Sequence, residues 1–290
     1  MIRVAMTGTS GFIGRHVASA LIAQGAEVID VRAVGTYDLL RPDDRAKAMD
    51  NLHADIFVHL AWITKHGEFW ASEVNNAWEV ATADLVARFF SNGGRRVVAT
   101  GSCTEYDWTR GGVFSEHAPL APHTIYGAAK ARTGEALLRS AEEHGASAAW
   151  ARIFFLFGSG EPPSRLIPSM FHACLKKERM ACGPHDTVRD FWDVRNLGEA
   201  LATLALSDVS GPINVASGEG TSFEEIGGLI EKITGVHEVI HFNERLLGEG
   251  EPRVVIADTT RQQSELGFKA PISLETGLSD YNKTLKQTYV

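Results

Sequence analysis

Three residues with acid–base or hydrogen-bonding side chains stand at spacings that suit carbonyl chemistry. Tyr126 and Lys130 form a Y-x-x-x-K pair at the start of a predicted helix, where i, i+4 spacing places both on one face. A free phenol, with a pKa near about 10, is a poor acid or base at neutral pH, but a nearby ammonium lowers that pKa. Ser102, at the end of an apolar run, could donate a hydrogen bond to a carbonyl oxygen. Together the three predict proton transfer at a carbonyl group, although the pair alone is also typical of a solvated helix face.

A second group of residues, near the N-terminus, has the composition of a phosphate-binding turn. The stretch TGTSGFIG places three glycines between the first predicted strand and the first predicted helix, where a pyrophosphate could meet backbone N–H groups. The G-x-x-G-x-x-G spacing meets the commoner G-x-G-x-x-G fingerprint only in part, and the alternative is a tight turn with close helix packing. We predict that the turn binds a dinucleotide through Gly8, Ser10, Gly11, Phe12, Ile13 and Gly14.

The end of the second predicted strand should select the cofactor. An acid at this place binds the ribose hydroxyls of NAD, whereas an arginine accommodates the 2′-phosphate of NADP. Asp30 lies within the apolar run and Arg32 stands at its exit. We therefore predict that Arg32 binds NADP(H), with NAD(H) as the alternative if Arg32 is only solvated.

The elements that must position these residues alternate between strand and helix. Strands are predicted over residues 2–6, 27–31, 55–60, 96–100 and 147–154, and helices over 12–23, 68–90 and 128–144. This alternation predicts an α/β fold with a doubly wound parallel Rossmann sheet. The Gly/Pro-rich stretch GSGEPPSRLIP then predicts a boundary. We expect a dinucleotide-binding domain over 1–157 and a smaller C-terminal α/β substrate lobe mainly over 158–290, with some later segments returning to the first domain.

Composition restricts the classes of function. The 290 residues are 44% hydrophobic and 22% charged, which is ordinary for a globular protein. The net charge of −8 offers no general attraction to nucleic acid or anionic lipid. Cys103, Cys174 and Cys182 lack a C-x-x-C spacing and the histidines form no H-E-x-x-H, so neither a disulfide framework nor a metal site is indicated. We expect a cytoplasmic protein, because MIRVAMTG is too short for a signal peptide and no apolar run is long enough to span a membrane.

In combination, the motifs resemble the extended branch of the short-chain dehydrogenase/reductase family. The resemblance covers nearly the whole chain and is carried by TGTSGFIG, DIFVHLA, Asn75, GSCTEY, YGAAK, RLIP, RDFWDV, NVASG and ADTTRQQSELGF. Members of this group are nucleotide-sugar epimerases, dehydratases and ketoreductases, and relatives form homodimers through a helix bundle. The resemblance thus implies an oxidoreductase that acts on a nucleoside-diphosphate sugar and forms a homodimer.

The resemblance also implies roles for single residues. It makes Ser102, Tyr126 and Lys130 the catalytic set, with Tyr126 as proton donor or acceptor and Lys130 also binding the nicotinamide ribose. It places Leu60 and Ala61 along the cofactor. Alignment on Gly25 puts Arg32, and not Asp30, at the family's acidic position, which favours NADP(H).

The substrate's diphosphate requires cations or N–H donors. In members of the family, an arginine in the RDF-like segment and another before the ADTT-like segment hold the pyrophosphate, and here these are Arg189 and Arg253. Arg165, in RLIP, is a third candidate. Each could instead be a surface arginine paired with a neighbouring carboxylate. Phe155 stands where many relatives carry asparagine, so the nucleotide base is not predicted.

Two positions after Ser102 bear on the reaction. Dehydratases of the family carry an Asp-Glu pair there, but this chain has Cys103 and Thr104, which disfavours 4,6-dehydration. Epimerases that act beside a ketone need an added acid/base pair, often Cys with His, and Arg165 stands at the position of that histidine. Cys103 is therefore a candidate substrate contact, with a small buried thiol as the alternative.

These constraints favour NADPH-dependent reduction of a keto group, at C4, on a nucleoside-diphosphate-linked deoxysugar. An arginine at the 2′-phosphate position favours a reductase, since an epimerase recycles a tightly held NAD. The alternatives are an NAD-dependent nucleotide-sugar 4-epimerase and, from another class, a non-catalytic NADP(H)-binding regulator. Trp70 and Trp78, on the helix predicted over 68–90, are interpreted as core or dimer-interface residues.

Overall fold

Strands and helices alternate through the first two thirds of the chain. The computed structural model describes residues 1–31, 37–50, 52–63, 65 and 67–288. The strands are β1 (Arg3–Thr7), β2 (Glu27–Asp30), β3 (Ile56–His59), β4 (Arg96–Ser102), β5 (Gly112–Phe114), β6 (Ser147–Ile153), β7 (Phe155–Phe157), β8 (Met180–Ala181), β9 (Val188–Arg189), β10 (Phe191–Asp193), β11 (Gly211–Val215), β12 (Thr221–Ser222), β13 (Ile240–His241) and β14 (Val254–Ala257).

The helices connect these strands and cover the sheet. They are α1 (Gly14–Ala23), α2 (Pro42–Met49), α3 (Val74–Ser91), α4 (Ile125–Glu143), α5 (Leu166–Lys176), α6 (Val194–Leu206), α7 (Phe223–Thr234), α8 (Thr260–Ser264) and α9 (Leu274–Thr288). Short 3₁₀ turns cover Phe69–Ala71 and Cys103–Glu105.

The main sheet has six strands in the order β11-β6-β4-β3-β1-β2, and every pair in it is parallel. From β1 the chain passes to β2 on one side and then to β3 on the other, so the strand order reverses between β1 and β3. A reversal of this kind opens a crevice at the carboxyl ends of the strands. The predicted doubly wound α/β fold is confirmed.

Helices cover both faces of this sheet because its strands carry apolar side chains on both sides. On one face α1 and α6 pack together, and a Cβ added at Gly198 would lie 2.7 Å from the Cβ of His16, so glycine allows their close approach. On the other face, α3 and α4 bury Leu85 and Leu137 against the sheet. Burying a side chain of this size contributes about 1.5–3 kcal/mol.

The end of α6 is fixed by the buried side chain of Arg96, at the start of β4. Its guanidinium donates hydrogen bonds to the carbonyl oxygens of Leu204 (2.8 Å), Ala205 (3.1 Å) and Val209 (2.6 Å). The last carbonyl groups of a helix have no partner within the helix. Arg96 supplies donors to two of them, Leu204 and Ala205, and to Val209 in the loop that follows, while Leu204 also accepts from Ser207. Arg96 thereby sets where the chain turns from α6 into β11.

The C-terminal part builds a second core between α5, α7 and α9, with Phe171, Ile226 and Leu278 at its centre. The two parts are interlocked, because β5 pairs with β14 while β11 joins the main sheet beside β6. The division at residues 157 and 158 remains a prediction, and two elements beyond it, α6 and β11, lie with the main sheet. No helix in the described ranges is long and apolar enough to cross a membrane.

Candidate active site

A cleft of about 670 Å³ lies at the carboxyl ends of four neighbouring strands of the main sheet. Gly8 follows β1, Leu60 follows β3, Ser102 ends β4 and Phe154 follows β6, and all four residues line the cleft. Tyr126 enters from the first turn of α4. The volume is within the usual range for small-molecule sites, about 300–1,000 Å³. The fold thus joins the glycine turn to Ser102 and Tyr126 in one cavity, whereas Lys130 is buried beside it and does not line it.

The glycine turn has no room for larger residues. Gly8 has a left-handed φ of +75°, and a Cβ there would lie 2.9 Å from the backbone nitrogen of Ala61. A Cβ on Gly14 would lie 1.9 Å from the carbonyl oxygen of Gly8. The cap residue Ile13 supplies no side-chain hydrogen bond to α1, and the first turn carries no acidic residue. Backbone N–H groups at the start of α1 are therefore free of a competing side-chain anion, which fits a pyrophosphate.

The same wall of the cleft contains the other residues predicted along the cofactor. Besides the glycines, Ser10, Phe12, Ile13, Leu60 and Ala61 line it. The backbone N–H groups of Leu60 and Ala61 both donate to Thr7 Oγ1 at 3.3 Å.

His59, which sequence reasoning missed, holds this wall in place. Its Nδ1 lies 2.7 Å from Thr7 Oγ1 and its Nε2 3.0 Å from Thr82 Oγ1. Burial lowers the pKa of His59 to about 3, so the ring is neutral and bonds both hydroxyls without a charge. Its only signal in the sequence is a polar residue that ends an apolar run.

At the adenosine end, the predicted selector Arg32 lies outside the described residues. Its competitor Asp30 accepts a hydrogen bond from Thr9 Oγ1 at 2.6 Å and so ties β2 to the glycine turn. Beyond them Tyr37, Asp38 and Leu39 line the cleft. No motif marks these three residues, because their loop reaches the cleft only through the tertiary fold.

Tyr126 is enclosed by aromatic rings. The rings of Phe69 and Trp70 meet it edge-on, with centroid separations of 4.8 and 5.6 Å. Thr124 caps the helix below by accepting a hydrogen bond from a backbone N–H of the first turn. Burial raises the pKa of Tyr126 above its ordinary value, although a hydrogen bond with Ser102 opposes the change. The phenol is therefore protonated at neutral pH and can act as a proton donor.

Lys130 is held one turn further along α4. Its ammonium donates to the carbonyl oxygen of Thr100 at 2.8 Å and lies 3.8 Å from the ring centroid of Trp62. Burial lowers the pKa of Lys130 to about 7, against the charge of Glu105. The expected lowering of the Tyr126 pKa by this lysine is wrong for this structure, since desolvation of the phenol outweighs every nearby cation.

Ser102 is fixed in a tight turn at the end of β4. Its Oγ accepts hydrogen bonds from the backbone nitrogen of Thr104 at 3.3 Å and from Thr104 Oγ1 at 2.9 Å. Its backbone N–H donates to the carboxylate of Glu105 at 2.7 Å. Cys103 also lines the cleft, and burial raises the pKa of its thiol to about 12. That thiol stays protonated at neutral pH, which disfavours a role as nucleophile or base, and its contact with substrate remains a prediction.

Of the three predicted substrate arginines, only Arg165 lines the cleft. It caps α5, and its Nε lies 3.0 Å from Glu161 Oε1. Burial raises the pKa of Glu161 to about 8, and Arg165 opposes that change. Arg165 therefore presents a cation to the cleft and has Glu161 as a partner that orients it.

Arg189 and Arg253 lie outside the lining of the cleft. Arg189 is fully buried, with Nη2 3.4 Å from the Glu251 carboxylate and its guanidinium 5.4 Å from the ring centroid of Phe155. Arg253 is exposed and pairs with Asp186. Their assignment to the diphosphate remains a prediction.

Aromatic residues form much of the remaining wall. Trp70 and Trp78, interpreted as core or dimer-interface residues, both line the cleft, together with Trp62 and Phe69. Trp70 lies in the 3₁₀ turn before α3 and not in a helix that begins at residue 68, so the helical periodicity does not apply to it. Trp62 stacks on Trp78, and its Nε1 donates to Asn75 Oδ1 at 2.8 Å. Within the described part of the chain, no group of three or more His, Cys, Asp or Glu side chains could hold a metal ion.

Comparison with known proteins agrees with this arrangement. The model of the NAD dependent epimerase/dehydratase family matches residues 4–216. A dTDP-6-deoxy-L-talose 4-dehydrogenase (NAD(P)(+)) of Kitasatospora kifunensis is 28% identical over 259 residues, 81% of this chain and 80% of that protein. A GDP-6-deoxy-D-mannose reductase of Pseudomonas aeruginosa is 27% identical over 304 residues, 98% of this chain and 99% of that protein.

Among solved structures, the chain is similar to RMD from Pseudomonas aeruginosa complexed with NADPH. The TM-score is 0.85 at 24% sequence identity, and the alignment covers 100% of both chains. At this identity the likeness supports the fold. The match extends over both the main sheet and the C-terminal core.

Proposed function

Because the chain belongs to the NAD-dependent epimerase/dehydratase family, we propose that it reduces a keto group, at C4, on a nucleoside-diphosphate-linked deoxysugar. The observation that carries this proposal is the meeting of Ser102, Tyr126 and the glycine turn in one cleft. NADPH, when bound, supplies the hydride. The protein's own residues supply binding, orientation and the proton.

Tyr126 delivers that proton to the ketone oxygen. Its phenol is protonated because burial raises its pKa, and Ser102 is positioned to share the same oxygen as a hydrogen-bond donor. Lys130 is positively charged below its pKa of about 7. Its ammonium lies 3.8 Å from the ring centroid of Trp62 and 5.9 Å from that of Tyr126. The positive charge and the two hydroxyls favour the negative charge that develops on the oxygen during reduction.

NADP(H) is the cofactor that we propose, with its pyrophosphate on the glycine turn. Asp30 accepts a hydrogen bond from Thr9 in the glycine turn. Because its carboxylate is already used in this way, we favour Arg32 as the residue that binds the adenosine ribose and its 2′-phosphate. The name NAD(P)(+) in one relative and the NADPH complex of another lend support. Preference for NADPH over NADH is the property to measure.

For the substrate, we propose that Arg165 contacts the sugar nucleotide inside the cleft and that Arg189 and Arg253 hold its diphosphate. The names of two relatives, which act on dTDP- and GDP-linked 6-deoxysugars, support this class of substrate. Aromatic rings beside Tyr126 suit the apolar face of a deoxysugar.

The test is consumption of NADPH with a panel of nucleoside-diphosphate 4-keto-6-deoxysugars. We expect turnover that prefers NADPH over NADH and falls by about 10²–10⁴ in Tyr126→Phe. Tyr106→Phe is the matched control, because that phenol is buried outside the cleft and bonds Asn214. Equal turnover in the two variants would contradict the role of Tyr126.

The second candidate is an NAD-dependent 4-epimerase, because the family to which the chain belongs includes epimerases. Such an enzyme needs only Tyr126 and a retained cofactor, since hydride leaves and returns at one carbon. Interconversion of ordinary sugar nucleotides without net NADPH consumption would favour it. Binding of NADPH with neither activity would favour a non-catalytic regulator.

The predicted homodimer is a separate matter, and light scattering of the protein in solution would test it.

A further inference from the structure

The carboxylate of Glu105 is fully buried directly behind the strand end that carries Ser102. It accepts hydrogen bonds from the backbone N–H of Ser102 (2.7 Å), Trp150 Nε1 (3.0 Å) and Arg152 Nε (2.7 Å). A Cβ at Gly101 would lie 2.3 Å from its Oε1, so the chain leaves room for the carboxylate only because residue 101 is glycine. Glu105 is fixed on three sides and takes no part in the steps proposed above.

The hydrogen bond to Ser102 is part of a reciprocal cap. The Ser102 side chain accepts from the 3₁₀ turn that follows it, while the Glu105 side chain accepts from the Ser102 backbone. Without the carboxylate, the Ser102 N–H would be a buried donor with no partner from this turn, which is unfavourable. The direction of the Ser102 hydroxyl therefore depends on Glu105.

Glu105 also acts by its charge on Lys130. The ammonium of Lys130 lies 5.8 Å from the ring centroid of Trp150, the same indole that donates to Glu105. Burial lowers the pKa of Lys130, and the Glu105 carboxylate is the charge that opposes this change. The ionisable groups that face Glu105 or Lys130 come from β3, β6, α4 and the turn itself: His59, Cys103, Tyr106, Tyr126 and Arg152.

We propose that Glu105 is a positioning residue of the active site, which fixes Ser102 through its backbone N–H and stabilises the positive charge of Lys130. The importance of Ser102 and Lys130 to catalysis rests on the proposed function. The electrostatic interaction between the Glu105 and Lys130 charges does not, so it can be tested without cofactor or substrate.

A double-mutant cycle between Glu105→Gln and Lys130→Met tests the charge directly. Thermal unfolding is measured for the wild type, both single variants and the double variant at about pH 6 and about pH 9, on either side of the Lys130 pKa of about 7. We expect Glu105→Gln to lower Tm by about 2–4 °C more when Lys130 is present than in Lys130→Met, at the lower pH only. The loss of the partner charge of Arg152 is common to both backgrounds and cancels.

The outcomes separate a charge effect from a packing effect. A cycle with no coupling at the lower pH, or with the same coupling at both, overturns the proposed effect on Lys130, since a packing role does not change with lysine ionisation. Tyr106→Phe is the control, because its phenol bonds the same Arg152 at 3.3 Å and carries no charge. If Glu105→Gln does not fold, the cycle is repeated in an Arg152→Met background, in which Glu105→Gln no longer leaves the Arg152 guanidinium buried without its partner charge.

Activity tests the effect on Ser102 separately. In an enzyme that turns over a keto-sugar, we expect Glu105→Gln to lower kcat at least about ten-fold with little change in KM. Glutamine has one acceptor oxygen, for which the guanidinium of Arg152 competes with the Ser102 N–H, so the Ser102 hydroxyl is misplaced for the reacting oxygen. An unchanged kcat in a folded variant overturns this part. A wild type that reduces no keto-sugar contradicts the proposed function instead, and the stability cycle still decides whether Glu105 acts on Lys130.

Discussion

At the scale of single residues, burial controls the ionisation of the site more strongly than charge pairing does. The pKa of Tyr126 is raised and that of Lys130 is lowered to about 7, so both changes favour the neutral form of the side chain. Each shift has desolvation as its largest cause. At neutral pH the site therefore holds a protonated phenol as proton donor and a lysine that is only partly protonated.

The low pKa of Lys130 predicts a pH-dependent stability. Between about 7 and 10.5, the folded protein binds fewer protons at Lys130 than the unfolded chain, so the free energy of unfolding rises with pH in that window. The slope contributed by one such group is at most about 1.4 kcal/mol per pH unit. Denaturant unfolding across the window should show this slope in the wild type and lose it in Lys130→Met. Lys232→Met, which alters an exposed lysine, is the control and should leave the slope unchanged.

The sequence identifies site residues whose role depends on local spacing. Gly8, Gly14, Tyr126 and Lys130 are found in this way, because a turn or one helical repeat brings them together. Trp62 is not found, because its contact with Lys130 joins residues far apart in the chain. The upward shift of the Tyr126 pKa is missed for a related reason, because the burial that causes it is a property of the folded structure.

At the scale of elements, the end of α6 is stabilised by a side chain from another element, Arg96 at the start of β4. Arg96→Met should lower the free energy of unfolding by about 1–3 kcal/mol, because it removes the hydrogen bonds from a buried guanidinium to two carbonyl groups in the last turn of α6 and to the Val209 carbonyl in the loop that follows. The neighbouring Arg95 is exposed and pairs with Asp55 at the surface, so Arg95→Met should cost under about 1 kcal/mol. Urea unfolding of the two variants compares them, and equal losses would contradict the cap.

Two adjacent glycines of α7 should respond in opposite ways to alanine. A Cβ at Gly228 would meet nothing within 4 Å, so Gly228→Ala should raise the free energy of unfolding by about 0.5–1 kcal/mol through helix propensity. A Cβ at Gly227 would lie 2.7 Å from the ring of Phe242, so Gly227→Ala should be destabilising. Measured midpoints of thermal unfolding that moved in the same direction would contradict this reasoning.

Most strands and helices of the main sheet follow from hydrophobic periodicity, including β1, β3 and β4. The pairing of β5 with β14 does not follow, because a three-residue strand carries too short a pattern to show its partner. The place of β11 beside β6 is likewise decided by packing of α6 on α1, which no local pattern reveals.

At the scale of the whole molecule, the interlocked strands predict cooperative unfolding. Since β5 lies in the sheet of β14 and β11 lies in the main sheet, neither part can open without breaking a sheet of the other. We expect one transition, with coincident midpoints from circular dichroism and tryptophan fluorescence. Two resolved transitions would instead support two domains that fold independently, divided near residue 158.

The six tryptophans divide evenly between cleft and cores. Trp62, Trp70 and Trp78 line the cleft, whereas Trp108, Trp150 and Trp192 are buried in the packed interior. Indole emission overlaps the absorption band of a reduced nicotinamide but not that of an oxidised one. A dinucleotide held in this cleft would therefore accept excitation energy from the tryptophans only in its reduced form. Fluorescence of the bound nicotinamide would then report its redox state in the intact protein.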